Sequence, residues 1–133
     1  MIDSMATRQA VGSLPLGGTE PLISTAVRWG DLVFLSGRAP IDVATMTMVS
    51  DDFEEQARDV LRTIGETLTE AGSGFEHVLR VVCYLRRAED FAAWNRLWAE
   101  TFPAPRPART TVCAEFVLPG MLIEVEVTAG VPS

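Results

Sequence analysis

Residues 107–128 are P-A-R-T-T-V-C-A-E-F-V-L-P-G-M-L-I-E-V-E-V-T. Two alternating segments flank a Pro119-Gly120 turn signal, which predicts two β-strands. Side chains two apart on a strand point the same way. Arg109, Thr111, Cys113 and Glu115 then share one side, and Val112, Ala114 and Phe116 the other. In the second segment Ile123, Val125 and Val127 form an apolar row, and Glu124, Glu126 and Thr128 a polar one. Antiparallel pairing of the two strands through the turn would give one sheet face an arginine, a thiol and several carboxylates. Such a face is either a solvated surface laced by ion pairs or a site for a small carboxylate.

Outward from this stretch the chain alternates between strand and helix patterns. Three prolines, Pro103, Pro105 and Pro107, separate it from a helix over about 88–102, where Phe91, Trp94 or Asn95, Trp98 and Phe102 fall on one stripe. Residues 77–85 contain V-L-R-V-V-C-Y-L, a short β-branched run that predicts a buried strand. Before it, Phe53, Ala57, Val60, Leu61, Ile64 and Leu68 recur every three or four residues, which predicts a long amphipathic helix. Asp51 with Glu54 marks its start and Gly72 its end. Residues 23–29 and 32–36 predict a hairpin around Gly30-Asp31, followed by a loop over 41–50 with a short strand near Met46. Residues 1–22, with Gly12, Pro15, Gly17, Gly18 and Pro21, are expected to be an irregular lead-in to a single domain over 23–133. The pattern predicts an α+β fold, with both helices on one face of one sheet and the other face bare and suited to self-association.

Composition narrows the chemistry. The chain has 133 residues, 47% of them apolar, which suits one domain with its own core. A net charge of −7 argues against nucleic acid as the main partner. No apolar run is long enough to span a bilayer, residues 1–18 lack the pattern of a secretory signal, and a cytoplasmic protein is expected. All 11 basic residues are arginine, which excludes lysine Schiff-base chemistry and a phosphate-loop lysine. The sole histidine, His77, cannot build a multi-histidine metal site, and neither a metal nor an organic cofactor is expected. Cys83 and Cys113 are thirty positions apart, without a C-x-x-C spacing; two free thiols are the plainer reading, a disulfide or a nucleophile the other.

Arg109 is the sharpest single candidate, because a guanidinium can hold a carboxylate by two parallel hydrogen bonds. The competing reading is an ion pair across the sheet to Glu115, Glu124 or Glu126. A carboxylate near Arg109 could position a water and carry its proton.

Several segments together resemble the RidA (YjgF) family of reactive-intermediate deaminases. They are A-V-R-W-G-D-L-V-F-L-S-G at 26–37, E-E-Q-A-R at 54–58, A-G-S at 71–73, D-F-A-A-W-N at 90–95, P-A-R-T-T-V at 107–112, L-P at 118–119 and I-E-V-E at 123–126. The resemblance implies a chorismate mutase-like fold assembled as a homotrimer, with sites in the clefts between subunits. It implies hydrolysis of a small 2-imino or 2-enamino carboxylate to the 2-oxo acid and ammonia. Arg109 matches the family's carboxylate anchor and Glu124 its water-handling glutamate; Ser36 and Asn95 match residues near the site. Some positions depart from the family pattern. Ile23 stands where a tyrosine lines the cleft, Arg38 where glutamine is common, and Thr111 where cysteine is frequent. The segment from Arg109 to Leu118-Pro119 is also one residue longer. These departures keep two alternatives open: a non-catalytic ligand-binding or regulatory trimer, and a specialised pathway enzyme such as an aminomuconate-like deaminase or a tautomerase.

Overall fold

The computed structural model describes residues 7–133. Eight strands and two α-helices follow in the order β1 (Gln9–Leu14), β2 (Ile23–Trp29), β3 (Leu32–Leu35), β4 (Ile41–Asp42), β5 (Thr47–Met48), α1 (Phe53–Glu70), β6 (Val78–Leu85), α2 (Phe91–Thr101), β7 (Ala108–Cys113) and β8 (Ile123–Gly130). The main sheet has six strands in the order β1-β2-β3-β8-β6-β7, and β4 and β5 form a separate ribbon.

Strand alternation sorts the sheet into two unlike faces. Ala26, Val33, Leu35, Val81, Cys83, Leu85, Ile123, Val125 and Val127 are buried beneath the helices. The stripe expected on α1 is the one that packs there, with Val60, Ile64 and Leu68 fully buried. From α2 the core receives Trp94, Leu97 and Trp98. On the opposite face Trp29, Leu32, Phe34 and Val112 remain exposed, so the α+β layering with one bare sheet face is as expected. No helix is long and apolar enough to cross a membrane among the described residues.

The structure corrects the expected hairpin. β7 and β8 do not pair; β6 lies between them, antiparallel to β8 and parallel to β7. The reason is the connection through α2: a strand that returns after a helical crossover is placed parallel to the strand it left. Residues 114–122 then carry the chain back to β8 across the end of the sheet. The segment pivots on buried Gln56, whose amide donates to Ser50 O at 2.8 Å and Gly120 O at 2.9 Å, while Leu122 N donates to its Oε1 at 2.8 Å.

Two further differences are local. Within the lead-in read as irregular, residues 9–14 form β1, in antiparallel register with β2 from Gln9↔Arg28 to Leu14↔Ile23. Gly12 takes a positive φ of 74° there, so a glycine read as a breaker is what lets the strand bend past Thr25. The N-cap of α1 is Asp52, which accepts from Glu55 N at 3.0 Å, one residue beyond the expected Asp51 and Glu54.

Candidate functional site

Alternation along β8 turns Val125 into the core and Glu124 and Glu126 to the open face, as the sequence pattern required. The two glutamates have different surroundings. Glu126 Oε1 accepts from the Tyr84 hydroxyl at 2.7 Å, an exposed cross-strand bond. Glu124 is half-buried and makes neither a hydrogen bond nor an ion pair with its side chain among the described residues. Burial pushes its carboxyl above the ordinary glutamate range, and the charge of Glu126 adds to this. It rests against Gly37, where a Cβ would lie 2.5 Å from Glu124 Oε2 and 3.1 Å from its Cδ. Gly37 is therefore the residue that makes room for this carboxylate, and in the sequence it stood out only as the last residue of the 26–37 motif.

Glu124 opens into a cavity of about 380 Å³ whose wall also includes Ile23, Ser36 and Arg38. The structure thus gathers four of the residues singled out by sequence. Ser36 donates its hydroxyl proton to Ser24 O at 2.7 Å, which leaves its oxygen lone pairs to face a ligand. Arg38 is fixed by backbone bonds to Val125 on both sides, N to O at 2.8 Å and O to N at 3.2 Å. Its Nε donates to Thr63 Oγ1 of α1 at 3.3 Å. Burial lowers its pKa, and Asp59 and Glu66 act against that fall. Arg38, the departure from the family's glutamine, therefore ties the strand end to α1.

Arg109, Thr111 and Asn95 lie elsewhere. The register Val81↔Arg109 and Cys83↔Thr111 puts both β7 residues on the helix-covered face. Arg109 and Glu124 thus sit on opposite faces of the sheet, and the shared face expected from the hairpin does not form. Among the ion pairs of the described residues, none joins Arg109 to Glu115, Glu124 or Glu126. Its guanidinium stacks on Trp98, 4.7 Å from the ring centroid, and lies 5.7 Å from that of Phe91. Asn95 is on the same stripe of α2, one turn from each of these rings. The Thr111 hydroxyl is buried and finds no partner among the described residues, as is true of the neighbouring Trp94 Nε1. Burial also raises the Cys83 thiol pKa. A smaller cavity of about 220 Å³ opens between Thr111, Cys113, Phe91 and Leu85. Phe91 and Trp98 were legible as a stripe, but nothing in the spacing assigned them to Arg109.

A stacked guanidinium at the sheet edge and a raised carboxylate on the open face are carried by a helix-backed mixed sheet. The family model described as Endoribonuclease L-PSP matches residues 19–131, and the chain belongs to this YjgF/RidA family. A RutC family protein of Pyrococcus horikoshii is 37% identical over 106 residues, covering 80% of this chain and 84% of the relative. The chloroplastic Reactive Intermediate Deaminase A of Arabidopsis thaliana is 35% identical over 106 residues, 80% of this chain and 57% of the relative. Among solved structures, a YjgF family member from Neisseria meningitidis superposes with a TM-score of 0.77 at 36% identity, covering 86% of this chain and 92% of that one. RidA from the bacterium Psychrobacter gives a TM-score of 0.80 at 27% identity, with coverage of 92% and 99%.

Proposed function

We propose that the protein is an imine/enamine deaminase, which hydrolyses a 2-imino or 2-enamino carboxylate to the 2-oxo acid and ammonia. The observation that carries the reading is Glu124, a half-buried carboxylate with a raised pKa, free of partners among the described residues and facing a cavity. A group in that state accepts a proton from water and returns it near neutral pH more readily than an ordinary glutamate.

In this reading Arg109 holds the substrate carboxylate with its two outer nitrogens, its plane fixed by Trp98 and Phe91. The protonated imine carbon is already electrophilic. Glu124 takes a proton as water adds to that carbon, giving a tetrahedral carbinolamine. Glu124 passes that proton to the nitrogen and the C–N bond breaks; as ammonia leaves and the C=O bond forms, Glu124 takes the hydroxyl proton, which then goes to the departing ammonia as ammonium. No metal or organic cofactor enters the scheme. Ser36, Arg38, Ile23, Thr111 and Asn95 shape the two halves around the ligand.

Arg109 and Glu124 can meet on one ligand only if they come from different copies, so the reading requires an oligomer with the site at the seam. The exposed Trp29, Leu32, Phe34 and Val112 of the bare sheet face supply an apolar surface for that assembly, which we take to be a homotrimer. Two free thiols, one buried and one exposed, suit the reducing cytoplasm.

The test is ammonia release from an imine made in situ by an amino-acid oxidase. Arg109→Ala removes two charge-assisted hydrogen bonds of about 1.5–3 kcal/mol each, so the rate should drop roughly a hundredfold or more. Equal rates for wild type and variant would sink the deaminase reading. Carboxylate binding without turnover of any imine would mark a ligand-binding protein instead.

A further inference from the structure

The cavity beside Glu124 is larger and more apolar than a carboxylate and an imine need. Its volume of about 380 Å³ falls within the roughly 300–1,000 Å³ that accommodates whole organic ligands. Apart from Ser36, Arg38 and Glu124, its wall is built of apolar side chains and backbone, with Leu14, Leu16, Ile23, Met46, Leu118 and Met121 prominent.

Two of these residues come from the lead-in, and their placement is enforced. β1 pairs Leu14 with Ile23, and Leu22 N closes the loop onto Leu14 O at 3.0 Å. Leu16 then takes a left-handed φ of 52°, and across the cavity Met46 takes 58°. A residue with a branched or long side chain rarely adopts that region, and among the described residues both exceptions outside glycine lie on this wall. The two loops approach each other at Gly17, next to Leu16, where a Cβ would be 3.1 Å from Met46 Cγ. The loop after β1 and the ribbon of β4 and β5 are thus joined over an apolar chamber that ends at Glu124.

We propose that the acid this site takes carries a bulky apolar substituent, branched aliphatic or aromatic, on the carbon attached to the imine, and that Leu14, Leu16, Ile23 and Met46 select for it. The proposal rests on the reading of the site as one for 2-imino carboxylates, and it names their side chain. Ile23 presents an all-carbon surface to that substituent, beside Leu14 on the neighbouring strand.

Calorimetry with unreactive 2-oxo acids tests the proposal without any turnover. Pyruvate, 4-methyl-2-oxopentanoate and phenylpyruvate are titrated into the full-length oligomer. Each buried methylene is worth about fourfold in affinity, so the two larger acids should bind at least tenfold more tightly than pyruvate. Leu16→Gly suits the left-handed backbone and opens the wall; Leu14→Gln makes it polar. Each should bring the affinity ratio toward one. The proposal is overturned if pyruvate binds as well as the larger acids, if none of the three binds, or if both variants keep the wild-type ratio. Equal affinities in a protein that releases ammonia from imines would refute the proposal alone. Retained selectivity in a protein that turns over no imine would refute the deaminase reading alone.

Discussion

Gly37→Ala isolates the placement of one carboxylate. The added Cβ would sit 2.5 Å from Glu124 Oε2, 3.1 Å from Cδ and 3.4 Å from Cγ. Contacts between such atoms settle near 3.5 Å, so the carboxylate must withdraw by about 1 Å. Gly37 is not among the glycines with positive φ, so alanine fits its backbone without strain. The obstructing atoms are the far end of a flexible side chain, and the fold has no reason to shift. Stability should change little. Restricting the unfolded chain adds about 0.4–1 kcal/mol, and an off-rotamer Glu124 takes back about 0.5–1.5 kcal/mol. Activity should change a great deal, because misplacing a catalytic group by about 1 Å costs on the order of a hundredfold in rate. Thermal unfolding and ammonia release on the same preparation read the two effects apart. An unaltered melting temperature together with a wild-type kcat would show that the rate does not depend on where Glu124 points, and the proposed general-base role would fall.

Two further substitutions probe the same framework. Glu124→Gln should abolish turnover and alter the pH dependence of stability. The folded-state pKa of Glu124 lies above its unfolded value, so the native state holds the proton more tightly, and wild-type stability falls as pH rises from the ordinary glutamate range through the raised value. The glutamine variant lacks that fall, so urea titrations should show it gaining on wild type between acid and neutral pH; parallel profiles would contradict the burial argument. Gln56→Leu leaves Ser50 O, Gly120 O and Leu122 N without their side-chain partner, at about 1–3 kcal/mol for each buried group. A loss of at least about 3 kcal/mol in urea unfolding is expected, and one below about 1 kcal/mol would mean water satisfies these groups.

Local periodicity carried the elements; pairing between distant elements did not follow from it. The α1 stripe from Phe53 to Leu68 and the alternation of Ile123, Val125 and Val127 are readable because each depends only on spacing along one segment. The cap of α1 slipped by one residue because Asp51 and Asp52 are each followed three positions later by a glutamate. What decides between them is that Phe53 must enter the core as the first helical residue. β1 escaped notice because its glycine and the Pro15, Gly17 and Gly18 beyond it read as breakers, whereas the strand exists through its pairing with β2. The larger miss is β7 against β8. The sides of Arg109 and Glu124 were each read properly within their own strands. Their common face depended on direct pairing, and β6 takes the place between them. Arg109 was a candidate from its own chemistry and the other candidate site residues came from motif resemblance, while the contacts of Arg38 with Thr63 and of Arg109 with Trp98 are tertiary and left no mark in the spacing.

The separation of Arg109 and Glu124 across the sheet leads to a test that no single substitution provides. If both act on one ligand, each site takes its guanidinium from one copy and its carboxylate from the next. Arg109→Ala and Glu124→Gln are then each inactive alone, yet an oligomer containing both has some seams where an intact Arg109 meets an intact Glu124. With subunits drawn at random from an equal mixture, a seam is intact when the first copy carries the glutamine variant and the second the alanine variant, which holds for about a quarter of the seams. Denaturing the two variants together and refolding them should therefore restore about a quarter of wild-type activity, while each refolded alone stays inactive. A site contained in one chain predicts no recovery, since every chain in the mixture lacks one of the two groups. Recovery would establish at once that the oligomer is required for the chemistry and that these two residues are its complementary halves.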